Sequence, residues 1–406
     1  MQDREEETAG IYVHIPWCRS ICTYCDFDRQ AHAFELIPSY VEALVTDIGR
    51  QPGGVAHSVF FGGGTPSLLE ADQISAVLNA CRDHFALLPT AEITVEANPG
   101  DLDPRRIAVY AEAGVNRFSI GVQSFDDRLL RLLGRRHTSD KAVQAVHAAR
   151  AGGAGNLSLD LMYALPGQTS SHWRETLERA LELQPDHLSA YLLTVDERVP
   201  LGRQVSRGTL SLPRDDDVAQ MYRDAQHMLG RAGYEQYEIS NWARPGRASR
   251  HNLTYWRDEP YLGLGAGAAS CFGGRRYKNG ADPAAYIEAI ANGWPVLVQD
   301  ESTDRLTAAQ DHVGLGLRLI EGIDLGRYRR RFGRDLLELG GEELAGLVRA
   351  GVLAVEAGRL RLAPEHLLVS NEVILRLHSA LEERWDRPER VCHASLPAPG
   401  TSWRAP

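Results

Sequence analysis

Three cysteines within eight positions constrain this chain more than any other feature. They lie in Cys18-Arg19-Ser20-Ile21-Cys22-Thr23-Tyr24-Cys25, close behind the apolar run Ile11-Tyr12-Val13-His14-Ile15. They sit too close together to be a disulfide framework for a chain of 406 residues. On a loop leaving a strand-like segment they make a metal-ligand set one short of the four thiolates that usually hold an iron–sulfur cluster. Three protein ligands leave one iron open, and catalytic metal centres keep such a position for a substrate or cofactor. The alternative is a zinc site completed by His14 or a distant fourth ligand. Zinc sites more often pair two cysteines with a second pair far downstream, and the remaining Cys81, Cys271 and Cys392 form no such pair.

Thiolate–iron chemistry needs a reducing compartment, which points to a cytoplasmic protein. The acidic start, Met1-Gln2-Asp3-Arg4-Glu5-Glu6-Glu7, lacks the apolar stretch of a signal peptide, and no apolar run approaches the length of an integral membrane segment. A net charge of −10 and a pI near 5.8 give no global field that favours nucleic acid.

Downstream, strand-like and helical spacing alternate. Strands are expected over 11–15, 58–61, 93–98, 118–123, 157–162 and 187–193, and helices over 40–48, 74–85, 105–113, 126–133 with 141–151, and 172–183. Six strand–helix units predict an α/β chain with a parallel sheet and right-handed crossovers, too few for a closed eight-stranded barrel. The chain is read as a disordered N-terminus (1–10), a barrel (11–212), a connecting region (213–300), a C-terminal winged-helix-like α+β domain (301–380) and a disordered tail (381–406). The C-terminal domain rests on helices expected over 303–321 and 344–350 and on a hairpin around Glu356-Ala357-Gly358.

In such barrels chemistry sits at the C-terminal ends of strands. Gly62-Gly63-Gly64-Thr65 ends the second strand; glycine lets a ligand approach the backbone, although such a triplet alone is usually a turn. Glu96, in Val95-Glu96-Ala97-Asn98, is either an ordinary charged strand end or a carboxylate for ribose hydroxyls or an amino group. Gln123, Arg135 and Asp160 fall at matching points of later units. Singly each is more often structural; together they favour a polar ring round one cavity.

The C-x3-C-x2-C spacing with an aromatic before the last cysteine, and a glycine triplet one unit later, resembles the radical S-adenosylmethionine (SAM) superfamily. Tyr12-Val13-His14-Ile15-Pro16, Gly121-Val122-Gln123-Ser124-Phe125, Asp160 with Leu165-Pro166-Gly167-Gln168-Thr169, and the C-terminal domain narrow it to one family. They look like the oxygen-independent coproporphyrinogen III dehydrogenase-like family, over roughly positions 10 to 380. The dehydrogenases carry a fourth cysteine two positions after the third, where this chain has Phe27. That form, with His251-Asn252-x-x-Tyr255-Trp256, is similar to the heme-chaperone branch.

The resemblance implies an open three-quarter (β/α)6 radical SAM barrel. It implies a [4Fe–4S] cluster on Cys18, Cys22 and Cys25, whose open iron is chelated by the amino and carboxylate groups of SAM. Tyr12, Gly63 and Glu96 would contact that SAM; Gly64, Thr65, Gln123, Arg135 and Asp160 would contact it or a second copy, with Thr194 offering backbone. Heme would be bound and delivered to an acceptor protein, without coproporphyrinogen III dehydrogenase activity, and a homodimer is compatible with the family. An active radical SAM enzyme of tetrapyrrole metabolism is the alternative.

Family members often show a histidine where this chain has Ala269. His251 is then the residue to weigh for heme, since imidazole is a standard axial ligand and Tyr255 and Trp256 offer flat apolar surface. Its other reading is a hydrogen-bonded core histidine. Cys271 is a further thiol, more simply a buried one. The basic run Arg327 to Arg331, with Arg334, is a solvated helix face or a surface for an acidic partner or heme propionates.

Overall fold

Six parallel strands, paired in sequence order, carry the first half of the chain. In the computed structural model, which describes residues 8–386, they are β1 (Ala9–Ile15), β2 (Val55–Gly63), β3 (Ala86–Ala97), β4 (Arg117–Gln123), β5 (Leu157–Tyr163) and β6 (His187–Leu192). The crossovers are α1 (Ile37–Ile48), α2 (Ala71–His84), α3 (Pro104–Ala113), α4 (Asp127–Leu132), α5 (Ser139–Ala151) and α6 (Ser170–Glu182). Each strand turns one face to these helices and the other to the barrel interior. On β4, Phe118, Ile120 and Val122 enter the apolar core, while Ser119, Gly121 and Gln123 face inward. Helices begin slightly earlier than apolar spacing predicts because their first turns are set by caps. Asp103 accepts from the Arg106 N–H, Thr138 from that of Lys141 and Thr169 from that of His172.

The region 213–300 is not a connector. After α7 (Pro200–Ser206) and α8 (Asp215–Arg231), the hairpin β7 (Glu235–Glu238) and β8 (Asn241–Ala243) pairs antiparallel with β6. α9 (Arg250–Trp256) follows, and β9 (Tyr261–Leu264) then joins the free edge of β1 in parallel. β10 (Ala269–Phe272), β11 (Arg275–Asn279) and, after α10 (Pro283–Asn292), β12 (Leu297–Ser302) extend that side antiparallel. The product is one twelve-stranded sheet whose edges are β7 and β12, so the barrel is open.

Beyond it lie α11 (Arg305–Gly316), β13 (Ile323–Asp324), α12 (Leu325–Phe332), α13 (Leu336–Arg349), β14 (Leu353–Glu356), β15 (Arg359–Leu362) and α14 (Ser370–Arg384). The helix expected over 303–321 stops at Gly316, whose Cβ position is 2.6 Å from Ile323, so the chain turns back closely into β13. The helix expected over 344–350 is the second part of α13, which breaks at Gly341 (φ 50, ψ −137) after a first part capped by Asp335. The segments 1–10 and 381–406, read as disordered, lie mostly outside the described residues; within them β1 starts at Ala9 and α14 runs to Arg384.

The C-terminal unit docks on the residues that follow α9. Buried Asp258 receives Arg331 Nη1 at 2.8 Å and His312 Nδ1 at 3.1 Å. Arg327 pairs with Glu259 at 3.5 Å, Arg329 with Asp335, and Arg318 lies 5.6 Å from the Trp256 ring. Much of the basic run is thus engaged within the chain. Asp258→Ala would leave two donors facing a gap. Because the Arg331 side chain is 38% exposed and stays hydrated, we expect a loss of about 2–3 kcal/mol, below the cost of breaking a fully buried pair. Urea unfolding checks it: an unchanged midpoint would show that solvent already satisfies Arg331 and His312.

Candidate functional site

The cysteine loop is pinned at both ends over the C-terminal ends of the strands. Near its start, the Cys18 N–H donates to Gln30 O at 2.9 Å and the Trp17 indole is buried. Further along, Thr23 donates through N–H to Leu133 O and through Oγ1 to Leu132 O, while Leu201 N–H donates to Thr23 O. Cys18, Cys22 and Cys25 consequently line one cavity of about 1170 Å³, together with Gly63, Gly64, Thr65, Glu96, Gln123, Arg135 and Asp160.

Thr65 Oγ1 donates to Cys18 Sγ at 3.3 Å and Arg135 Nη1 to Cys22 Sγ at 3.5 Å, so donors already point at two of the sulfurs. Burial pushes the Cys18 and Cys25 thiols above their ordinary range; a coordinating cation overrides that tendency. The end of β2 is pressed against the loop. The Gly64 N–H donates to Ile15 O at 2.8 Å, and a Cβ there would lie 2.7 Å from Trp17 O. Gly63 has φ +105, and a Cβ there would lie 2.5 Å from the His14 ring. Side chains are therefore barred from this corner.

Glu96 accepts from the Gly63 N–H at 3.2 Å and is enclosed by protein, though open to the cavity. Burial first, then neighbouring Asp160, pushes its carboxyl up to about 8, with the Gly63 N–H and Arg117 pulling the other way. Asp160 is held by hydroxyls, from Ser189 at 2.9 Å and Ser119 at 3.1 Å, and is also pushed up by burial. Arg135 donates through Nη2 to Asn98 Oδ1 and to Gly121 O at 2.6 Å, and Asn98 Nδ2 donates to Thr65 Oγ1 at 2.9 Å. Asn98 was not among the residues read from the sequence, although it stands two positions after Glu96 and lines the same cavity. Thr194 is also in the lining, and Gln123 adopts φ 65 at the end of β4.

Tyr12 and His251 do not line this cavity. The Tyr12 hydroxyl bonds His14 Nδ1 at 3.0 Å, and its ring stacks near Phe60 and His251. His251 is 1% exposed; Nδ1 bonds Ser58 Oγ at 2.9 Å and Nε2 bonds the Tyr255 hydroxyl at 2.8 Å. Burial pushes its ring down to about 3. Both ring nitrogens are engaged and Phe60 stacks 4.9 Å away, the arrangement of a hydrogen-bonded core histidine, the second of its two readings. Of the other thiols, Cys81 is buried, Cys271 sits on β10 away from the cavity, and Cys392 lies outside the described residues.

Comparison with known proteins adds family to geometry. The family model described as "Radical SAM superfamily" matches residues 12–180, and that described as "HemN C-terminal domain" matches 304–369. "Heme chaperone HemW" of Lactococcus lactis is 35% identical, covering 89% of this chain and 95% of that protein. The protein of the same description from Bacillus subtilis is 36% identical, covering 89% and 97%. Among solved structures, the coproporphyrinogen III oxidase HemN of Escherichia coli, described as a radical SAM enzyme, superposes with a TM-score of 0.78 at 22% identity, over 92% of this chain and 91% of that one. That last likeness speaks for the fold.

Proposed function

The chain belongs to the radical SAM superfamily and, within it, to the family of the HemW heme chaperones, and on that premise we propose that it binds heme on a cluster-bearing barrel and passes it to an acceptor protein. The observation that carries this reading is similarity to proteins named as heme chaperones along nearly their whole length. Phe27 agrees with it. It stands at the cavity, 61% exposed, where the dehydrogenases of the resemblance have a cysteine.

Membership of the superfamily implies a [4Fe–4S] cluster and SAM, and the residues present fit both. We assign the cluster to Cys18, Cys22 and Cys25. Among the described residues no three His, Cys, Asp or Glu side chains are placed to hold a single metal ion. A zinc site would need that convergence, whereas a four-iron cluster takes each thiolate on a different iron. When loaded, the cluster would supply one-electron chemistry at a bound SAM. Glu96 would offer its carboxylate to the N–H groups of the SAM amino end, and Gly63 and Gly64 would offer backbone where side chains are barred. Thr65 and Arg135 orient donors toward sulfur, and Gln123 and Asp160 complete the polar wall.

Among the described residues no helix is long and apolar enough to cross a membrane. The decisive experiment is titration of anaerobically reconstituted protein with hemin, followed by an assay for coproporphyrinogen decarboxylation. A saturating Soret band without protoporphyrinogen formation is expected. Absence of heme binding would overturn the chaperone reading; decarboxylation with SAM and reductant would make the protein an active enzyme.

A further inference from the structure

One charged side chain inside the barrel has no role in the site described above. Arg117 is the first residue of β4 and is 2% exposed. By the two-residue period of a strand it shares the inward face with Ser119, one repeat below it, about 7 Å deeper. It does not line the cavity, and it forms no ion pair with any described residue. Its Nε has no protein partner, nor has the hydroxyl of Thr94, its register partner on β3. A guanidinium stays charged in a protein, and burying one without a paired carboxylate costs several kcal/mol. A single buried cation at this depth therefore needs an account.

The groups that surround it supply one. Facing the same interior are Tyr12 from β1, Glu96 from β3, Asp160 from β5, and His187 and Tyr191 from β6. Tyr237 on β7 and His251 on α9 feel its charge, with Glu238 next to Tyr237 and Tyr255 bonded to His251. The tyrosines are all pushed up, and His187 and His251 are pushed down, so these remain neutral near pH 7. Arg117 is the lasting positive charge of the set, against the carboxyls of Glu96 and Asp160. Its field pulls both Glu96 and Asp160 downward against burial.

We infer that Arg117 is a positioning residue for cofactor binding: a fixed counter-charge beneath Glu96 and Asp160 that favours their ionised forms without touching the ligand. The inference rests on the assignment of Glu96 and Asp160 to SAM. SAM keeps its sulfonium charge, and its amino group, once on iron, still presents N–H donors, so it binds the ionised carboxylates best. With the Glu96 carboxyl near 8, binding below that pH expels a proton, and affinity rises as pH is raised through it.

The test uses the cluster-reconstituted full chain and labelled SAM in equilibrium dialysis between pH 6.5 and 9. The titration of free SAM itself cancels in the ratio of variant to parent. Arg117→Met is expected to move the midpoint of the profile up by about one pH unit and to weaken binding about tenfold at pH 7.5, with the loss shrinking toward pH 9. Arg117→Lys should restore the parent profile. A methionine variant with parental iron content and a parallel, unshifted profile overturns the inference. If the methionine variant fails to fold, the lysine variant decides: a retained midpoint supports the counter-charge and a shifted one rejects it. Should the parent protein itself bind no SAM at any pH, it is the SAM assignment that falls, and that outcome is distinct from either.

Discussion

Replacing any one of Cys18, Cys22 and Cys25 with alanine is expected to abolish the brown iron–sulfur chromophore after anaerobic reconstitution. The loop would nevertheless keep its shape, because it is held by backbone bonds to Gln30, Leu133 and Leu201 and by the Thr23 hydroxyl, not by the thiols. Loss of iron would therefore report loss of a ligand and not of the fold. Cluster ligation normally uses four thiolates, so a set of three has nothing to spare. Iron counting should fall from about four per chain to near zero, with an unchanged far-ultraviolet circular dichroism spectrum. Cys271→Ala should keep the chromophore. A protein lacking all three cysteines that still holds four irons would sink the assignment.

The second large effect is expected at His251, and it should appear in stability. His251→Ala removes two side-chain hydrogen bonds and the ring stacked on Phe60, and it leaves Ser58 Oγ without its partner. A buried aromatic-sized truncation with an orphaned hydroxyl costs roughly 3–5 kcal/mol. The ring also helps fix α9, whose first N–H groups are taken by the Glu92 carboxylate: Arg250 and His251 donate to it, both at 3.1 Å. Denaturant unfolding should therefore shift strongly to lower urea, while the Soret band of bound heme keeps its position and amplitude below the transition. The opposite pattern, a displaced Soret band with stability intact, would return His251 to the role of axial ligand.

How much of this could be read in advance depended on element length. β1 to β5 each send three or more apolar residues into the core and β6 sends two, which is why six strand–helix units were legible. β7 to β12 run from three to six residues, too short for a period-two pattern to stand out beside the glycines and turns that separate them. Hence a stretch with no evident pattern proved to extend both sides of the sheet. The cavity was legible wherever a residue closed a strand, as with Gly63 and Gln123. Asn98 and Arg117 were not, since one lies past a strand end and the other at a strand start, and only the register reveals which face each takes. His251 stood in a conspicuous motif, but sequence spacing cannot tell an offered imidazole from one whose two nitrogens are already bonded. The basic run was legible as a solvated helix face but its ion pairs were not, because Asp258 and Glu259 lie some seventy residues before their arginine partners.

The pairing of β1 with β9 also dictates when the chain can finish folding. Gly10 is aligned with Tyr261, in parallel, with the whole of the first six units lying between them. As the polypeptide leaves the ribosome, β2 arrives early to cover one side of β1, but the other side stays an open template until more than two hundred further residues have emerged. Parallel, long-range pairing is slow to form, and an uncovered strand edge invites wrong partners while it waits. The cysteine loop hangs from the end of that same strand. Its three thiols are thus presented while one edge of the strand that carries them is still uncovered.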